Sequence, residues 1–202
     1  MTVEIDELRE FCTFGSDRVY ILVAIAREKE NPETPACERP TLREVVTDSD
    51  GLADSAAKLV HAASRFDATY RLYCTVNARD ALAATFELRS RMDDWLEMRL
   101  HGDEDVTAKF KRVDSEYESV LQSGRCSDDS YFIFDCDDAS AADAEQLEAA
   151  LAARTTVRLL RETPNGYHVV TAPFDYTEFE SDVEYELKTD GLVFLTYVGD
   201  AD

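Results

Sequence analysis

The chain has 202 residues, 43 of them acidic and 21 basic, for a formal charge of −22, and 45% are hydrophobic. That apolar share supports a packed core and excludes wholesale disorder, and the length suits one domain spanning residues 1–202. No run approaches the ~20 apolar residues that span a bilayer, so no membrane partner is expected.

The spacing of Ile5, Leu8 and Phe11 predicts a short leading helix. Arg18 to Ala26 is an almost unbroken apolar run rich in β-branched and aromatic residues, which predicts a buried first strand. Residues 27–40 hold three of the five prolines and read as an exposed loop. Thr41 and Glu44 have capping-box spacing and predict a short helix through Val46. Another helix starts at Ser49 or Asp50 and runs to Ala63. Tyr70–Val76 reads as the second strand. Asp80 then opens a long amphipathic helix to about Leu100, with Leu82, Phe86, Met92, Trp95 and Leu96 among its apolar positions. His101 to Asp105 breaks it, and Val106–Leu121 forms a more polar helix, so 80–122 is a helical segment within the fold.

After a polar loop come the strand Tyr131–Phe134, an alanine-rich helix Ala141–Ala153, and the strands Thr156–Leu160 and Gly166–Thr171. Val183–Leu187 and Leu192–Val198 flank Thr189-Asp190-Gly191, and Asp-Gly between apolar runs predicts a hairpin. The order predicts an α+β fold: one mixed, largely antiparallel sheet with helices packed on it and a helical insert.

Chemistry concentrates in Tyr131–Thr171. The strand YFIFDCDD ends in Asp135, Asp137 and Asp138, and period-two alternation puts Asp135 and Asp137 on one face. Two carboxylates aimed one way repel unless a cation sits between them, and hard ions such as Mg²⁺ or Mn²⁺ want such oxygens. Asp138 alone reads more simply as the cap of the following helix. His168 lies in an apolar strand entered through Pro164-Asn165-Gly166, where the glycine permits close backbone approach. A lone strand histidine is usually structural; its order behind the aspartates raises its interest. Arg71, Asn77 and Arg79 flank the end of the second strand, where guanidinium groups could reach phosphate, or equally form a solvated strand edge.

These pieces resemble the archaeo-eukaryotic primase superfamily, the primase-polymerases, whose hydrophobic strand ends in DxD or DxE and is followed by a small residue-x-His strand and a third acid. The matching residues are Phe132-Ile-Phe-Asp135-Cys-Asp137 and Asn165-Gly-Tyr-His168, and ETPNGYHVVTAPFD also resembles small primase-related proteins of tailed viruses. The resemblance covers about 68–198. It implies an RRM-like core, metal bound by Asp135 and Asp137, and a nucleoside triphosphate contacted by His168, Asn165 and Gly166 with Arg71 and Arg79 nearby. The template it implies is single-stranded DNA in replication, with helicase function supplied by a separate protein. Asn165 stands where serine is usual, and the third catalytic acid is Asp190 or Asp175.

Three other readings compete. Lys188-Thr-Asp-Gly191 matches the KxDG of nucleic-acid ligases, but too little chain follows for their remaining motifs. A DxD glycosyltransferase would need a parallel nucleotide-sugar domain ahead of the acids. A non-catalytic, primase-like adaptor needs only the binding surface. No GxSxG, GxxxxGK[ST] or GxGxxG occurs.

Composition bears on partners and place. Only Lys29, Lys58, Lys109, Lys111 and Lys188 are lysine, and an acidic, lysine-poor surface fits a salt-rich cytoplasm. There the ~3 Å screening length of molar salt removes long-range repulsion of nucleic acid. The five scattered cysteines have no zinc-ligand spacing and read as thiols in a reducing compartment. The acidic, amphipathic opening MTVEIDELREFC predicts neither a secretory nor a transit peptide, hence a cytoplasmic location.

Overall fold

Two antiparallel sheets carry the strands, where the sequence predicts one mixed sheet; the α+β class holds. The computed structural model describes residues 5–199. In chain order the first half contains α1 (Ile5–Phe11), β1 (Arg18–Ile25), β2 (Leu42–Val46), α2 (Leu52–Ala63), β3 (Tyr70–Thr75), β4 (Arg79–Asp80) and α3 (Ala81–Leu100). The second half contains α4 (Thr107–Phe110), α5 (Val113–Leu121), β5 (Phe132–Asp137), α6 (Ala141–Ala152), β6 (Val157–Thr163), β7 (Gly166–Thr171), β8 (Glu186–Lys188) and β9 (Leu192–Val198). No helix among the described residues is long and apolar enough to cross a membrane.

The first sheet runs β2-β1-β3-β9, with β4 pairing the start of β1. Its central strand β1 is buried on both faces, which is why its sequence is continuously apolar rather than alternating. Tyr20, Leu22 and Ala24 pack with α1, α2 and part of the second sheet. Val19, Ile21 and Val23 pack with Ala84 of α3 and with Val120 and Leu121 of α5.

The second sheet runs β6-β7-β5-β8. Written from β5 onward, that is β-α-β-β-β in spatial order 2-3-1-4, the split β-α-β arrangement of ferredoxin-like folds. The second helix of that arrangement is replaced by the irregular stretch 172–185. Phe174, Phe179 and Tyr185 from this stretch ring Phe134 at centroid distances of 6.2, 5.7 and 5.0 Å and share one core with α6. Aromatic burial thus takes the place of a helix face.

Four expectations are corrected. Residues 42–46 form β2 rather than a helix, because pairing Tyr20–Ala24 with Val46–Leu42 outweighs a local capping-box spacing. The predicted hairpin across Asp190-Gly191 is absent: β8 pairs with β5, β9 with β3, and the chain changes sheets between them. Ser140, not Asp138, caps α6, in a capping box with Asp143. Of the apolar positions on α3, Trp95 is buried, whereas Leu82, Phe86 and Leu96 are exposed.

Candidate functional site

Where the sheets approach each other, a cavity of about 240 Å³ opens with walls from both. The first sheet contributes Arg27 just beyond β1, Arg71 and Tyr73 from β3, and Leu192 and Phe194 from β9. The second contributes Asp135 and Asp137 from β5, Asn165, His168 from β7, and Lys188 from β8.

Register places the chemistry. Asp135 lies opposite His168 on one neighbouring strand and opposite Glu186 on the other. Opposed residues of an antiparallel ladder share a face, so Glu186, Asp135 and His168 form a row across three strands. His168 Nε2 is 3.2 Å from Asp135 Oδ1. Lys188 Nζ is 2.6 Å from Asp135 Oδ2 and 3.0 Å from Glu186 Oε2. The His168 hydrogen bond, reinforced by Lys188, holds the Asp135 carboxyl down at about 2 against the opposing effect of burial. Burial lowers the Lys188 ammonium, but its bonds to Asp135 and Glu186 outweigh that and shift it upward. Asp135 is therefore an anion throughout the neutral range, suited to orienting His168 and holding a cation rather than to proton transfer. His168 Nδ1 is buried without a hydrogen-bond partner.

The two depressions beside the acid pair differ in sign. In the 240 Å³ cavity, Arg27 lies over Tyr73 at 5.8 Å, and Arg71 lies over Tyr197 at 5.7 Å while pairing with Glu30. Lys29 donates to Asn165 Oδ1 at 3.2 Å at its rim. Arg27, Arg71 and Lys188 thus set three cationic side chains beside Asp135 and Asp137 in a chain carrying −22. Asp135 and Asp137 also border a shallower depression of about 250 Å³ whose other walls are Asp138, Glu184, Tyr185 and Glu186. The DxD thus separates a cation-lined space from an anion-lined one, which suits a phosphate group on one side and a hard cation at the boundary.

Among the described residues no three His, Cys, Asp or Glu side chains gather as a ready metal cage. Mg²⁺ needs none: it is commonly held by one or two carboxylates, with substrate phosphates and water completing the shell. Asp135 and Asp137 are the carboxylates that would hold such an ion, and the Lys188 ammonium lies between Asp135 and Glu186.

The remaining predicted residues divide. Asn165 and Arg71 line the cavity. Gly166 is architectural: a Cβ there would lie 1.9 Å from the Cys136 carbonyl oxygen, so only glycine lets β7 start against β5. Arg79 and Asp190 are not in the site. The buried Arg79 guanidinium holds Asp190 with two bonds, Nη1 to Oδ2 at 2.9 Å and Nη2 to Oδ1 at 2.8 Å, and Asn77 donates to the same carboxylate. Asp175, exposed and bonded to Thr177, is no part of the cavity either. Lys188, Glu186, Arg27 and Lys29 are site residues the sequence does not point to; two of the five lysines fall here, and the KxDG match at Lys188 points to a different chemistry. Comparison with family models, curated proteins and solved structures gives no match for this chain.

Proposed function

We propose that this protein is a nucleotidyltransferase of the primase-polymerase type, adding nucleotides on a single-stranded DNA template. The observation that carries the reading is the contact of Asp135 with His168 on adjacent central strands of a split β-α-β sheet, at the wall of a cation-lined cavity. Asp135 and Asp137 would hold Mg²⁺ or Mn²⁺, which when bound polarises phosphate and lowers the barrier to hydroxyl attack. His168 and Lys188 orient Asp135, Arg27 and Arg71 attract the polyphosphate, and Glu186 replaces Asp190 as the third acid, one strand from Asp135. The cavity's aromatic walls, Tyr73 and Phe194, offer a base a surface to stack on.

A second reading, a non-catalytic nucleotide- or DNA-binding replication adaptor, is favoured by the Lys188 ammonium lying where a divalent ion would bind. The glycosyltransferase reading has no scaffold: every strand pair among the described residues is antiparallel. The dividing experiment is Mn²⁺-dependent incorporation of labelled nucleotide on single-stranded template in molar salt. Incorporation that disappears in Asp135→Ala, with a raised nucleotide KM in His168→Ala, supports the transferase. Nucleotide or DNA binding without incorporation at any salt concentration selects the adaptor.

A further inference from the structure

Five of the seven large hydrophobic side chains exposed among the described residues lie on α3: Leu82, Phe86, Leu96, Met98 and Leu100. The helix packs on the body through its other side, where Ala84 and Trp95 are buried. Positions 82, 86, 89, 93, 96 and 100 follow at alternating steps of four and three, and all six residues are exposed. They form one stripe along a helix about 30 Å long, with the spacing of the contact seam of a coiled coil.

The stripe reads Leu, Phe, Arg, Asp, Leu, Leu, and it is self-complementary when reversed. Set antiparallel on a second α3, Leu82 meets Leu100, Phe86 meets Leu96, and Arg89 meets Asp93, each contact occurring twice. The ion pairs within the chain that involve α3 use Glu87, Arg91, Glu97 and Arg99 but neither Arg89 nor Asp93 among the described residues. The helix is also close to neutral, with three arginines against four acids, where the chain as a whole has 21 basic against 43 acidic residues. It is therefore a place where two copies of a strongly acidic chain can meet without strong repulsion.

We infer that α3 is the interface of a homodimer, packed antiparallel about a twofold axis at the level of Arg91. Each apolar layer is closed by an apolar partner, and the central layer is closed by two Arg89–Asp93 pairs. A twofold axis requires an interface complementary to itself, and the reversed order of size and charge along this stripe meets that requirement. With fewer than three heptads, the association is modest and depends on concentration.

The test is sedimentation equilibrium or native mass spectrometry on the full chain, across a protein concentration series, at a salt concentration where circular dichroism reports a folded protein. The wild type is expected to move from monomer to dimer mass, and Phe86→Asp to remain a folded monomer. R89D and D93R each place like charges in both central contacts and are expected to weaken dimerisation on the order of tenfold or more. An equimolar mixture of the two is expected to recover dimer, because each mixed pair again opposes Arg to Asp; no intrachain effect produces that recovery. A wild type that stays monomeric throughout, a Phe86→Asp variant that still dimerises, or a mixture no tighter than its components overturns the inference.

Discussion

Asp135 meets His168 at one oxygen and Lys188 at the other, and each contact has a measurable consequence. Its folded pKa of about 2 lies below the ordinary 3.8. The depressed value means a stabilisation present in full above the unfolded pKa and lost as pH falls through the folded one. The unfolding free energy of wild type over Asp135→Asn is expected to be about 2 kcal/mol near neutrality and to shrink between about pH 4 and pH 2. Denaturant titrations across that range measure it. Lys188→Met removes the resident cation beside Asp135. Isothermal titration should find Mn²⁺ bound more tightly by that variant than by wild type if ammonium and metal compete for one carboxylate. Unchanged affinity would separate the two positions. The aspartates and His168 were legible because alternation and order are local properties of the chain. Lys188 and Glu186 were not, because their place at the site depends on β8 adding to β5, a pairing no local pattern encodes.

At the level of elements, the span Thr189–Gly191 shows how a local signal was overruled. Asp-Gly between two apolar runs favours a tight hairpin, yet β8 and β9 lie in different sheets. Asp190 instead serves a buried arginine: Arg79 is 1% exposed and has the carboxylate as its charge partner. Asp190→Ala would leave that guanidinium buried and unpaired, at a cost of about 3–5 kcal/mol, read from chemical unfolding. Incorporation per folded molecule is expected to persist, which separates this structural role from that of a third catalytic acid. α1, α2, α3, α6 and most strands were predicted within a few residues, whereas the single helix expected over Val106–Leu121 is two, Thr107–Phe110 and Val113–Leu121. β2 was missed because five residues with a β-branched end take their form from the strand they pair with.

For the whole molecule, charge sets the conditions under which the fold stands. A formal −22 on 202 residues opposes compaction through self-repulsion. Raising KCl is expected to lift the thermal midpoint by roughly 10 °C or more between low and molar salt, as screening shortens to ~3 Å. Scanning calorimetry at stepped ionic strength checks this. The α+β class could be inferred from the order of elements; the division into two sheets could not, since it follows from which edges remain free once β1 and β3 have paired.

The three-residue passage from β8 to β9 has a mechanical consequence. Lys188 and Leu192 line opposite walls of the cavity, and the chain between them is pinned to Arg79 through Asp190 and to Asn77 through Asp190 and the Thr189 carbonyl. The passage therefore works as a short tether that sets how far the two walls can part. A substrate too wide for that tether must unseat Asp190 before it can enter between the walls.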